Sequence, residues 1–165
     1  MELILIRHCQ AEDVDGSRIK TDFDRPLTAK GVKQAKNLAK AIQKYIDSDT
    51  RFATSPLIRA LQTMEVLCDK LGKRGTEFEV WNPLAIPMDF EKLRDSLSES
   101  CANKAVLVGH MDDLANFAGK VLGCPDGTLH FRKGAAASII WEGGLRWGTG
   151  RLEWWITPEW ILPGG

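Results

Sequence analysis

Neither sign of charge predominates in this chain of 165 residues: lysine plus arginine number 22, aspartate plus glutamate also 22, and the net charge is zero. That balance argues against non-specific nucleic-acid binding, which needs a basic surface. No apolar run approaches the length of a membrane span, and no signal peptide precedes the first strand. Cysteine is sparse. Cys9, Cys68, Cys101 and Cys124 fall in different elements without metal-type pairing, and read as reduced thiols of a cytoplasmic protein. Walker loops, dinucleotide fingerprints, internal repeats, low-complexity segments and linkers are all missing. Asp13, Asp15 and Gly16 lack the remaining ligand spacing of a calcium loop. The expectation is one domain over residues 1–165, long enough to bury a substantial core.

What is present is an alternation of strand and helix signals, which favours an α/β sheet. Leu3, Ile4, Leu5 and Ile6 form a buried strand that stops at two basic residues, Arg7 and His8. Residues 9–27 are polar and irregular. Thr28 then caps a helix with an apolar stripe of Val32, Ala35, Leu38, Ala39, Ile42 and Ile46. A strand from Arg51 to Thr54 leads into a second helix, with Ser55 as cap, Pro56 at the first helical position and Gly72 at the end. A weak strand near Phe78 to Trp81 precedes a helix from about Asp89 to Ser100. Another buried strand, KAVLVG, stops at His110, and Asp112 or Asp113 caps the helix that follows it. Antiparallel strands at about 135–141 and 151–157, joined through Gly143 and Gly144, complete the pattern. The late tryptophans, Trp141 and Trp154 among them, read as core rather than as a nucleic-acid stacking surface.

Three pieces of chemistry occupy equivalent places. Arg7 and His8 follow the first strand, Arg59 lies in the first turn after the second, and His110 follows VLVG. Taken singly, each is as well read as a solvated strand end or an exposed helix residue. Together, at the carboxyl edge of a mostly parallel sheet, they describe a pocket for a dianion. Phosphate is the obvious candidate, because arginine forks match its oxygens. The remaining histidine, His130, sits in a loop segment and is left structural.

These residues resemble a known family. LILIRHCQAED, DRPLTAKGVKQA, ATSPLIRALQT and VLVGHMDDL match, in order, the blocks of the histidine phosphatase superfamily, whose hallmark is Arg-His-Gly after the first strand. The short length and the terminal LEWWITPEW are similar to its SixA-type phosphohistidine phosphatases. The resemblance implies a phosphoglycerate-mutase-like, three-layer α/β/α sandwich with a mostly parallel central sheet. It implies that His8 is the nucleophile that becomes phosphorylated, and that Arg7, Arg59 and His110 hold the phosphoryl oxygens. No cofactor and no metal are expected, since phosphoryl transfer needs positioned charge more than covalent machinery.

Two departures from the family pattern stand out. The hallmark glycine is here Cys9, either a small packing residue or a thiol whose oxidation inhibits the site. Mutase-type members have a glutamate proton donor and acid-phosphatase members an aspartate directly after the second histidine. Here Met111 follows His110, and Asp112, Asp113, Asp89 and Glu91 read as helix-start residues at least as well as acids. The function expected is therefore a metal-independent phosphatase acting on phosphohistidine in a protein, such as a histidine phosphotransfer domain. Two alternatives remain open: a phosphatase of small phosphomonoesters, and a phosphoprotein-binding module without turnover.

Overall fold

The computed structural model describes residues 1–73, 78–100 and 102–161, so Cys101 lies outside the described residues. Its elements, in chain order, are β1 (Glu2–Arg7), α1 (Ala29–Ile42), β2 (Arg51–Thr54), α2 (Ile58–Lys70), β3 (Glu79–Val80), α3 (Phe90–Glu99), β4 (Lys104–Gly109), α4 (Asp113–Leu122), β5 (Ala136–Ile140), β6 (Arg151–Ile156) and the short α5 (Pro158–Ile161). The strands form one sheet in the order β3-β2-β4-β1-β5-β6. β3, β2, β4 and β1 run parallel, whereas β5 and β6 add antiparallel pairs. The fold is the mostly parallel α/β/α sandwich expected from the sequence.

The unbroken apolar run of β1 has a direct cause. Leu3 and Leu5 pack into a core with α3 and α4, through Leu93, Leu97, Leu114 and Phe117. Ile4 and Ile6 face the opposite way, toward Leu38, Ile42, Met64 and Leu67 of α1 and α2. Both faces are covered, so alternation disappears, as in parallel strands generally. Each such side chain contributes roughly 1.5–3 kcal/mol on burial.

The start of α1 follows its sequence signal, with the Thr28 side chain accepting from the Gly31 amide at 2.9 Å. Gly31 is there for space: a Cβ would meet the Gln10 carbonyl oxygen at 2.0 Å. α1 thereby lies directly against the chain that leaves β1.

Other caps differ from expectation. α2 begins at Ile58 with Leu57 as its N-cap and no side-chain cap bond, so Pro56 stays in the preceding turn and Ser55 is free for another partner. Asp112 precedes α4 without capping it through its side chain. Asp113 instead accepts from the Met88 amide at 3.0 Å, which ties the loop before α3 to α4. The tryptophans are not one core cluster. Trp141 is buried, Trp154 stacks on Tyr45 at 4.8 Å between ring centroids, and Trp160 is 86% exposed.

Candidate active site

Strand register brings the two histidines together. Arg7 pairs with Gly109 across β1 and β4, so His8 and His110 leave neighbouring parallel strands at the same height. Their ring centroids lie 5.2 Å apart. Thr54 pairs with Val108, which places Ser55 beside them, and the first turn of α2 delivers Arg59. All four residues singled out in the sequence therefore meet at the carboxyl edge. His8 (4% exposed), Arg59 (3%) and His110 (1%) are buried, and Arg7 is half-buried.

The His8 ring is held from both sides. Nδ1 lies 2.7 Å from the Cys9 carbonyl oxygen, which can only accept, so Nδ1 carries the proton. Nε2 then presents its lone pair, and the Arg59 Nε–H donates to it at 3.2 Å. Burial, opposed by the Cys9 carbonyl and reinforced by His110, Arg59 and Arg7, pushes the His8 pKa down to about 3. The imidazole is neutral at physiological pH.

His110 is held through Ser55, with Nε2 and Oγ 2.7 Å apart. The Leu57 amide donates to the same Oγ at 3.4 Å, and the hydroxyl can either donate to His110 Nε2 or accept from it, according to the ring's tautomer. When Nε2 accepts from Ser55, Nδ1 of His110 is the protonated nitrogen. Among the described residues, Nδ1 of His110 is buried without a hydrogen-bond partner, as is Nε of Arg7. An unpartnered Arg7 N–H and an unpartnered His110 ring nitrogen, beside the Arg59 guanidinium, suit an oxygen-rich anion that brings its own acceptors. Burial first, and then Arg59 and Arg7, lower the His110 pKa to about 3, so this ring is also neutral.

The site also draws on supporting residues that the pattern of strand and helix ends does not reveal. Asp22, in the irregular segment after β1, accepts from Arg59 Nη1 through its backbone oxygen at 2.6 Å and from Nη2 through Oδ2 at 2.9 Å. It is one of several carboxylates in a polar stretch, and no spacing marks it. Thr63 accepts from the Cys9 amide at 3.1 Å and donates to the Arg59 carbonyl at 2.7 Å. Its place one helical turn after Arg59, on the buried face, was the available signal. Ser55, expected as the cap of α2, is turned to His110 instead.

Cys9 is fully buried, and burial pushes its thiol pKa up to about 12. Such a thiol is inert, which favours packing over a redox role. Three of the four candidate acids are committed elsewhere. Asp89 caps α3 through the Lys92 amide, Glu91 pairs with Arg94, and Asp113 holds Met88. Asp112 is exposed and acts on Arg7 only through its field. Among the described residues, no three His, Cys, Asp or Glu side chains are grouped as metal ligands would be, and no helix is long and apolar enough to cross a membrane.

Residues 3–85 match the model of the histidine phosphatase superfamily (branch 1). The chain belongs to this superfamily. An uncharacterized protein of Picosynechococcus sp. is 33% identical over 99% of this chain and 100% of its own length. Phosphoglycerate mutase 3 of Saccharomyces cerevisiae is 32% identical over 56% of this chain, an alignment that spans only 32% of the mutase. Among solved structures, the protein histidine phosphatase SixA complexed with tungstate superposes with a TM-score of 0.80 at 24% identity, covering 96% of this chain and 97% of its own. Phosphoserine phosphatase of Entamoeba histolytica, in complex with 3-phosphoglyceric acid, gives 0.71 at 18% identity, covering 98% and 99%. These two structures establish that the histidine phosphatase fold is shared.

Proposed function

We propose that this histidine phosphatase superfamily member is a phosphohistidine phosphatase acting on a protein, such as a histidine phosphotransfer domain. The observation that carries the reading is the state of His8: neutral, its tautomer fixed by the Cys9 carbonyl, its Nε2 lone pair facing Arg59 and His110. A neutral imidazole is a competent nucleophile, whereas an imidazolium is not.

In the reaction, Nε2 of His8 attacks phosphorus and the bond from phosphorus to the substrate nitrogen breaks. The electron pair leaves with the substrate imidazole, which takes a proton from solvent. Arg7, Arg59 and the Nδ1–H of His110 stabilise the phosphoryl oxygens. Water then attacks the phosphorus on His8, the new nitrogen–phosphorus bond breaks, and inorganic phosphate departs. His8 keeps its Nδ1 proton on the Cys9 carbonyl throughout. The charge required is supplied by side chains, so a chelator should leave turnover unchanged.

The test is a substrate comparison. A phosphorylated histidine phosphotransfer domain should lose its phosphate to the wild type, with acid-labile phosphate trapped on His8 after rapid quenching. Faster turnover of sugar or serine phosphates than of the phosphorylated domain would favour the small-phosphomonoester reading. Binding of phosphate without labelling of His8 would identify a module without turnover.

A further inference from the structure

Resting on the phosphatase reading, we infer that Asp22 is a positioning residue that holds Arg59 in the plane required for phosphoryl transfer. A buried arginine next to a nucleophile needs its guanidinium fixed, because the free side chain is rich in rotamers. Asp22 fixes it at two points, taking Nη1 on its backbone oxygen at 2.6 Å and Nη2 on Oδ2 at 2.9 Å. The third nitrogen, Nε, is thereby aimed at His8 Nε2, 3.2 Å away. Each terminal nitrogen retains a second N–H for an incoming oxygen.

The carboxylate is anchored rather than loosely placed. Its other oxygen, Oδ1, accepts from Arg25 Nη1 at 2.8 Å, and Arg25 Nε donates to the Glu12 carbonyl at 2.6 Å. The segment is also pinned onto α2. The Ile58 amide donates to the Phe23 carbonyl at 3.2 Å, and the Leu27 amide donates to Gln62 Oε1 at 2.7 Å.

A carboxylate beside an anion site raises an objection, since it repels the substrate and competes for the same guanidinium. The charge count answers the first part: Asp22 is shared between Arg25 and Arg59, and Arg7 stands nearby, so cations outnumber it. The second part makes a distinguishable prediction. A competitor would suppress turnover, whereas a positioning group supports it.

The experiment measures kcat and KM for an aryl phosphate and for a phosphorylated histidine phosphotransfer domain in the wild type, Asp22→Ala, Asp22→Asn, Arg59→Ala and the Asp22→Ala/Arg59→Ala double variant. Rates are normalised to the fraction of His8 that can be labelled, so that misfolded protein does not count. Asp22→Ala should lower kcat by about 10- to 100-fold, as small misplacements of catalytic groups do. KM should change by less than about threefold, because a fixed plane matters most in the transition state. Asp22→Asn, which keeps an acceptor oxygen, should recover a large part of the loss. In the Arg59→Ala background the Asp22 substitution should cost nothing further, since Asp22 acts through that arginine. A rise in kcat/KM in Asp22→Ala, or an undiminished loss in the Arg59→Ala background, would overturn the assignment. An unaltered kcat in Asp22→Ala would do the same while leaving the phosphatase reading in place. Absence of turnover by the wild type on both substrates would overturn that reading itself, and this assignment with it.

Discussion

Arg59 directs its Nε–H at Nε2 of His8 across 3.2 Å, so the lone pair proposed to attack phosphorus is occupied by a hydrogen-bond donor. On the proposed mechanism that donor transfers to a phosphoryl oxygen as substrate enters, which frees the lone pair for attack. Removing the donor leaves the nucleophile in place but takes away stabilisation of the transferring group. His8→Ala should therefore abolish turnover in a folded protein. Arg59→Ala and His110→Ala should each lower the saturated rate by roughly two to four powers of ten. Steady-state and single-turnover kinetics on the three variants measure this. Near-wild-type turnover in a folded His8→Ala protein would defeat the nucleophile assignment.

Burial sets a pH signature for the same pair. Both histidines have folded pKa values of about 3, caused first by burial. An unfolded histidine titrates near 6.5, at roughly the reference value. Between those limits the unfolded chain binds protons that the native site refuses, so stability falls as pH drops from about 6.5 toward 3. Each group contributes a slope of about 1.4 kcal/mol per pH unit within that window. Above about pH 7 neither contributes any slope. Denaturant titrations at several pH values test the sign, and NMR of the free enzyme should show both rings neutral at pH 5. A ring titrating near 6.5 would show that the site is wetter than its packing indicates.

The tautomer of His110 gives a prediction about Ser55. On the proposed mechanism the Ser55 hydroxyl donates to Nε2, which places the His110 proton on Nδ1. Ser55→Ala removes that constraint and lets the proton move to Nε2, turning a donor toward the substrate into an acceptor. The rate should fall about 10- to 100-fold, the lower range for loss of a positioned donor. Nitrogen-15 correlation spectra should show a protonated Nδ1 in the wild type and a mixture in the variant. An unchanged spectrum and rate would remove Ser55 from the site.

Most of this architecture could be read from the sequence because its causes are local or periodic. The β1 and β4 runs, the α1 and α4 stripes, Thr28 as cap and the four polar residues at strand and helix ends all leave periodic or positional marks. The remainder depends on contacts between distant segments. Asp22 meets Arg59 only because the segment after β1 folds back over α2, and nothing in a stretch of scattered carboxylates marks which one arrives. Ser55 looked like a cap because serine before a helix usually is one; the register of β2 against β4 turned it toward His110 instead. Asp113 was likewise drawn from its own helix to the Met88 amide, a partner supplied by the loop before α3.

Gly31 links packing to the site. A side chain there would overlap the Gln10 carbonyl, one residue beyond the Cys9 carbonyl that orients His8. Gly31→Ala should force α1 away from that segment and cost about 1–3 kcal/mol, the usual range for overpacking. In a chain of this size, each kcal/mol corresponds to roughly 2–4 °C in Tm. Turnover should fall along with Tm, because the Cys9 carbonyl moves with its neighbour. A variant as stable and active as the wild type would show that the segment yields without cost.

The choice of substrate turns on proton donation. Expelling a serine or sugar alkoxide is difficult, and a positioned acid contributes about 10²- to 10⁴-fold to such a step. Three of the four candidate carboxylates are engaged elsewhere: Asp89 caps α3, Glu91 pairs with Arg94, and Asp113 holds the Met88 amide. Asp22 lies closer, but hydrogen bonds from Arg25 and Arg59 overcome its partial burial and hold the carboxyl below its usual pKa, which makes it a poor acid. A phosphohistidine relaxes the requirement, since its leaving imidazole accepts a proton with a reference pKa of roughly 6.5 and solvent can supply it near neutral pH. Phosphohistidine and aryl phosphates with good leaving groups should therefore be hydrolysed much faster than alkyl phosphates. Asp112→Asn should cost little, because Asp112 is exposed and its side chain makes no cap bond to α4. Asp113→Asn should cost little in rate as well, since an asparagine oxygen can still accept from Met88. The measurement is kcat/KM across a leaving-group series for the wild type and both variants. A steep dependence on leaving-group pKa, unchanged in the variants, is the expected result. Efficient alkyl phosphate hydrolysis that collapses in Asp112→Asn would instead identify that aspartate as a general acid and favour a small phosphomonoester as substrate.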